Sequence, residues 1–234
     1  MHGLGAIFAD RREAGRTLAA RLEPYEAQRP VVLALPRGGV PVAYEVAEAL
    51  QAPLDVLFVQ KIGAPGHEEL GIGAVVDGEH PQVVLNAEIE RLTGATPDYV
   101  EAEVRKELQE IERRRKAYLG GREPLPVRDR TVLLIDDGIA TGGTVRAALQ
   151  GLKRAGAHPV VLAVPVAPAD SLPVLKGEAD EVIVLETPEP FFAVGLWYAD
   201  FAQTTDEEVV SLLEAARRRP AQTPPEAPGP SPPP

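Results

Sequence analysis

Asp136 and Asp137 stand side by side at the end of an apolar run, and Gly138, Ile139, Ala140, Thr141, Gly142, Gly143 and Thr144 follow directly. Two carboxylates, a turn of small residues and a helix opening near Gly143 place opposite electrostatic demands a few residues apart. At the C-terminal edge of a parallel sheet, such a turn gathers free backbone N–H groups around one point. The helix start adds its partial positive charge, which makes a phosphate site. Gly142 and Gly143 let the backbone close on the phosphate oxygens, and the hydroxyls of Thr141 and Thr144 add donors. The carboxylates would repel that phosphate. They require a partner that wants acceptors, either the vicinal hydroxyls of a ribose or hydrated Mg2+. An anion site beside a diol-and-metal site describes a ribose 5-phosphate. The Gly-Lys-Ser/Thr ending of a Walker loop is absent, as is the Gly-x-Gly-x-x-Gly dinucleotide fingerprint.

Other stretches have matching chemistry. Leu35-Pro36-Arg37-Gly38-Gly39 is a second glycine turn after a strand, with Arg37 as a charged fork. Lys61 closes another apolar run and leads into the glycine-rich Ile62–Glu69, where His67 by itself does not define a base. Residues 190–201 gather five of the eleven aromatic side chains; Phe192 and Trp197 are the candidates to stack a planar base, and Asp200 is a candidate to read its edge. The charges of Asp10, Arg11 and Arg12 read as a capped, solvated helix start, and Arg113–Lys116 as a solvated helical face.

The stretch Asp136–Thr144 resembles the PRPP-binding signature of type I phosphoribosyltransferases, PRPP being 5-phosphoribosyl-1-pyrophosphate. The resemblance extends over roughly residues 8 to 210, without settling on one subfamily. It implies transfer of the phosphoribosyl group from PRPP to a ring nitrogen, with a nucleobase as acceptor and Mg2+ as cofactor. Asp136 and Asp137 would fix the ribose hydroxyls and, directly or through water, the metal. Residues 138–144 would hold the 5-phosphate. Arg37, Gly38, Gly39 and Lys61 would receive the pyrophosphate, with a cis peptide at Pro36–Arg37. Ile62–Glu69 would be the flexible catalytic loop, and the 186–210 region the hood over the acceptor. Oxopurine-specific members carry an aspartate where Ala140 stands, which weighs against hypoxanthine or guanine. Relatives are commonly homodimers. The alternative is a PRPP- or nucleotide-binding regulator without turnover; a third reading is hydrolysis or transfer to some other acceptor.

These residues need a scaffold. Val31–Leu35, Leu54–Val59, Val132–Asp136, Val160–Val166 and Glu181–Leu185 read as buried strands of a parallel sheet, because their apolar character is continuous and not alternating. Pro41–Gln51 and Gly143–Gly156 read as the helices between them. Strand and helix in alternation predict a doubly wound, mainly parallel α/β sheet. Ile72–Asp77 and Gln82–Asn86 read as a hairpin through Gly78. Thr96–Tyr118 is a charged helix with Val100, Val104, Leu108 and Ile111 on one face. The expected organisation is one domain over 1–216, with a helical insertion at 86–127 and the hood at 186–210. A proline-rich tail at 217–234 is too polar to bury a face.

Composition narrows the partners. The 234 residues carry a formal net charge of −11, which opposes general affinity for nucleic acid or anionic membrane. Cysteine is absent, and the four histidines have no zinc spacing. No signal-like start or membrane-length apolar run is seen, so a cytoplasmic protein is expected. Asn86 is the only asparagine and proline is plentiful, a composition found in thermophiles.

Overall fold

The computed structural model describes residues 5–218. Its centre is a five-stranded sheet with strand order β2-β1-β6-β7-β8. These strands are β1 (Val31–Ala34), β2 (Leu54–Val56), β6 (Val132–Ile135), β7 (Val160–Val166) and β8 (Glu181–Glu186), all paired in parallel. Every residue of β1, β6 and β7 is buried, as a parallel sheet with both faces covered requires. On one face Val32, Ala34, Leu133 and Ile135 pack with α1 (Arg11–Leu22), α2 (Gly39–Ala49) and α7 (Asp206–Arg217). On the other, Val31, Leu33, Val132 and Leu134 pack with α5 (Gly143–Arg154) and α6 (Leu172–Glu178). The doubly wound α/β architecture is as expected. Residues 219–234, nearly all of the proline-rich segment, lie outside the described residues, while Arg217 ends α7.

The expected strand Leu54–Val59 divides. Its first half is β2; at Val59 the chain enters a second sheet, in which β3 (Val59–Ala64), β4 (His67–Val76) and β5 (Gln82–Leu85) are antiparallel. The glycine-rich stretch expected as a loop is therefore the β3–β4 hairpin, turning at Pro65–Gly66 where Gly66 has φ +72°. The hairpin through Gly78 is present as β4–β5, with β4 starting earlier than its apolar half suggests.

The segment expected as a helical insertion contains α3 (Ala87–Thr93) and α4 (Pro97–Leu119). Thr96 caps α4 through the Tyr99 amide, Pro97 occupies its first turn, and Gly120 ends it in the left-handed conformation. Val100, Val104, Leu108 and Ile111 face the core as their spacing predicts. Arg115 does not belong to a solvated face. Its side chain is 9% exposed, with Nη1 2.6 Å from Asp77 Oδ2 and Nη2 3.3 Å from Asp55 Oδ2. Burial pushes the Asp77 carboxyl upward, and Arg115 counters that. Arg115→Met, which strands two buried carboxylates, is expected to lower unfolding free energy by about 3–5 kcal/mol in chemical denaturation. A loss within experimental error would remove this triad from the determinants of the fold.

Candidate active site

β1 and β6 are adjacent and in register, Val31 opposite Val132 and Ala34 opposite Ile135, so the loops leaving their C-terminal ends lie side by side. From β1 the chain crosses to β2 on one side; from β6 it crosses to β7 on the other. The crevice between the two loops is thus the topological switch point, where ligands of open α/β sheets bind. The helices that follow, α2 and α5, lie on opposite faces of the sheet and both open at this crevice.

The two loops touch. A Cβ on Gly38 would fall 2.7 Å from Asp137 Cγ, and one on Gly39 would fall 2.9 Å from Asp136 Cα. Only glycine allows that approach. The Pro36–Arg37 peptide is cis, as the resemblance implies. The Gly39 amide donates to Leu35 O at 3.1 Å, so of the two glycine amides assigned to pyrophosphate only that of Gly38 remains available. Arg37 is 40% exposed, with Nη1 3.4 Å from Asp206 Oδ1, and the Tyr118 hydroxyl donates to the same oxygen at 2.5 Å. The Tyr118 bond, with Arg37 beside it, holds the Asp206 carboxyl below its ordinary value.

In the second loop, Gly142 precedes α5 with φ +76°, a conformation that glycine adopts without strain. Ala140, Thr141, Gly143 and Thr144 are exposed, and among the described residues none of the amides of 140–144 donates to a backbone carbonyl. Ile139 is different: its amide donates to Val166 O at 2.9 Å and its side chain is 1% exposed. It anchors the loop in the core and offers no donor to a phosphate. The N-termini of α2 and α5 add positive partial charge at the mouth.

Asp136 Oδ1 accepts from the Asp137 amide at 2.9 Å. Burial, then the neighbouring Asp137 charge, pushes the Asp136 carboxyl well up. Burial also raises Asp137, which Arg11 holds down. Arg11 is the residue that sequence reasoning assigned to a solvated helix start. Its Nε donates to Asp137 Oδ2 at 2.8 Å, Nη1 donates to Ala202 O at 2.8 Å, and the guanidinium sits 3.8 Å from the centre of the Phe201 ring. No local pattern marks this role, because an arginine just after a capping aspartate is ordinary and its partner is 126 positions away.

Residues 186–210, expected as the hood, pack over Gly138, where a Cβ would fall 2.5 Å from Val194 Cγ1. Trp197 is 3% exposed and packs in a cluster with Phe8 and Tyr198, so it does not offer an open face for stacking. Phe192 does, at 69% exposure. The Tyr198 hydroxyl donates to Asp137 O at 2.5 Å, fastening this region to the acidic pair. Asp200 accepts from the Ala202 amide, shaping the chain that carries Arg11's carbonyl partner. Lys61 lies within β3 and not at the end of a parallel strand; its ammonium is 3.3 Å from Glu69 O and Glu69 Oε2. His67 begins β4 and is exposed.

A glycine-lined crevice at the switch point, beside a part-buried acidic pair, is the candidate site of this doubly wound α/β fold. The phosphoribosyl transferase domain model matches residues 6–199, and the chain belongs to that family. It is 49% identical over 212 residues to Putative phosphoribosyl transferase Rv0571c of Mycobacterium tuberculosis, covering 91% of this chain and 47% of that protein. The same match is made to MT0597 of another strain, so the chain spans about half the length of the curated relatives it matches. The crystal structure of TT1426 from Thermus thermophilus is similar with a TM-score of 0.77 and 43% identity, covering 88% of this chain and 97% of that one. Among the described residues, no helix is long and apolar enough to cross a membrane.

Proposed function

We propose that the chain transfers the 5-phosphoribosyl group of PRPP to a nitrogen of a nucleobase and releases pyrophosphate. The observation that carries this reading is the contact between the Pro36–Gly39 loop and the Asp136–Asp137 pair, which supports a pyrophosphate receptor beside a diol receptor. The 5-phosphate is received by the free amides of 140–144 with the hydroxyls of Thr141 and Thr144. Asp136 and Asp137 accept hydrogen bonds from the ribose hydroxyls. Arg37 and the Gly38 amide face the departing pyrophosphate, and Lys61 joins them only by leaving Glu69. As the ring nitrogen bonds to C1, the bond from C1 to the pyrophosphate oxygen breaks and the ring proton departs. The protein's part is positioning and electrostatics. Phe192, whose ring is exposed, stacks the acceptor.

Mg2+ fits this donor set. Among the described residues, no group of three or more His, Cys, Asp or Glu side chains could hold a metal. Mg2+ is ordinarily held by one or two carboxylates together with substrate phosphates, which is what Asp136 and Asp137 beside a pyrophosphate provide. Bound there, it would neutralise charge on the leaving group.

A PRPP- or nucleotide-binding regulator without turnover is the second reading, and the observation on its side is that residues 62–69 form a paired hairpin. Pyrophosphate release from Mg–PRPP, measured across a panel of bases, separates the readings. Release dependent on one base is expected. Release without a base would indicate hydrolysis, and tight PRPP binding with no release would indicate the regulator.

Gly143 gives a cleaner test of the phosphate loop. A Cβ there meets nothing within 4 Å in the free protein. Gly143→Ala is therefore expected to leave the melting temperature unchanged or raised, since Ala restricts the unfolded chain where the native backbone accepts it without strain. The same variant is expected to weaken PRPP binding, because its methyl group points where phosphate oxygens must approach. Unaltered PRPP affinity would move the 5-phosphate elsewhere.

A further inference from the structure

Arg11 is the first helical residue of α1, where a cation runs against the helix dipole. Nothing within the helix favours arginine there, so its reason is tertiary. The chain just before it is laid along residues 197–200. The Ile7 and Phe8 amides donate to Trp197 O at 2.9 and 3.0 Å, and the Ala199 and Asp200 amides donate to Phe8 O and Ala9 O, both at 2.8 Å. Asp10 then caps the helix through the Glu13 amide at 2.8 Å. These bonds bring Arg11 to the edge of the crevice, against Asp137.

The guanidinium is held by three different contacts at once: the Asp137 carboxylate at Nε, the Ala202 carbonyl at Nη1 and the face of the Phe201 ring. A planar fork meets all three, and the point charge of a lysine does not. Phe201 stacks in turn on Tyr198, ring centres 5.1 Å apart, and the Tyr198 hydroxyl returns to Asp137 O. Asp137, Arg11, Phe201 and Tyr198 thus form a closed ring of contacts. Within it the carboxylate has little freedom. Arg11 takes Oδ2, and the Gly38 backbone crowds the same oxygen, since a Cβ on Gly38 would overlap it. Oδ1 is left to accept from a ligand, on a side chain that is still 14% exposed.

We propose that Arg11 is a positioning residue for the sugar: by fixing Asp137 Oδ2 it aims Oδ1 at the vicinal hydroxyls, and so sets a preference for ribose over 2-deoxyribose. This role rests on the reading of the acidic pair as the diol receptor. A carboxylate already held by a rigid fork loses little freedom when a hydroxyl docks, whereas a loose one must be ordered at that moment and binds the diol less tightly. Arg11 acts through Asp137 alone. The free amides of 140–144 lie outside its ring of contacts, so the grip on the 5-phosphate does not depend on it.

Calorimetric titration of the full chain without metal, using ribose 5-phosphate and 2-deoxyribose 5-phosphate, tests this. The wild type is expected to prefer ribose 5-phosphate at least about tenfold, the scale of a hydrogen bond to a charged group. Arg11→Lys keeps the positive charge and is expected to lose that preference while still binding 2-deoxyribose 5-phosphate. A merely structural role would lower the melting temperature and leave the ratio of the two affinities unchanged. If Arg11→Lys does not fold, Phe201→Leu serves in its place. It keeps the ion pair, removes the ring that braces the guanidinium, and is expected to lower the same ratio. A wild-type ratio in whichever folded variant is measured overturns the role of Arg11 and leaves the diol reading standing. Equal binding of both sugars by the wild type, or binding of neither, overturns the diol reading and the role of Arg11 with it.

Discussion

Asp136→Asn is expected to make the free protein more stable at neutral pH while lowering phosphoribosyl transfer by about 10²–10³-fold, the scale of removing one preorganised electrostatic partner. The two effects have one cause. Burial and the Asp137 charge push the Asp136 carboxyl well up, so the folded state resists its ionisation more than the unfolded chain does. The sign follows from linkage. Asp136 contributes stability fully below the unfolded carboxyl value of about 3.9, and that contribution is lost as pH rises through the higher folded value. Wild-type melting temperature should therefore fall with rising pH in this window, and the Asn variant should not share that fall. Asn retains Oδ1 as an acceptor for the Asp137 amide, so the loop geometry survives the exchange. A cation or diol bound at the pair favours the ionised form, and ligand affinity should accordingly rise as pH rises. Melting curves across pH, with pyrophosphate release assayed in parallel, check both halves. A variant that melts below the wild type at neutral pH and keeps full turnover would refute the role given to this carboxylate.

Gly38→Ala is expected to have a comparable effect on activity through sterics alone. Gly38 has φ −59° and ψ −33°, a backbone conformation any residue adopts. The methyl group has nowhere to go except into the Asp137 carboxylate. Overpacking of this kind costs typically about 1–3 kcal/mol, and a displacement near 1 Å at a catalytic group costs about 10²-fold in rate. Because Asp137 also holds Arg11, the shift passes to α1 and to the Ala202 carbonyl. Turnover should fall far more than stability, and a structure of the variant should show the Asp137 side chain rotated. Wild-type turnover in Gly38→Ala would mean that the two loops are not held as close in solution as their contact requires.

Much of the candidate site was legible because its signals are local. The acidic pair, the small-residue turn and the glycine at positive φ occupy nine consecutive residues, and each residue type states a backbone or charge requirement by itself. The continuous apolar runs at 31–35, 132–136 and 160–166 likewise reported burial on both faces, which only a covered parallel sheet supplies. The same runs could not report which sheet a strand joins. Leu54–Val59 is apolar almost throughout, yet it contributes to two sheets, since strand partnership depends on what lies across from each residue.

Sequence alone therefore determined the family, the layered α/β scheme and the small-residue turn between β6 and α5. Tertiary structure decided which charges are paired, which rings are core and which amides are free. Arg11 reaches Asp137 across 126 positions, Arg115 reaches Asp55 across 60 and Asp77 across 38. Trp197 is buried while Phe192, five places earlier, is open. Local residue types fix what a segment can do, but burial and pairing depend on neighbours brought together by packing of the whole core. At this crevice those neighbours leave the acidic pair poorly solvated, and a bound cation or diol would satisfy it.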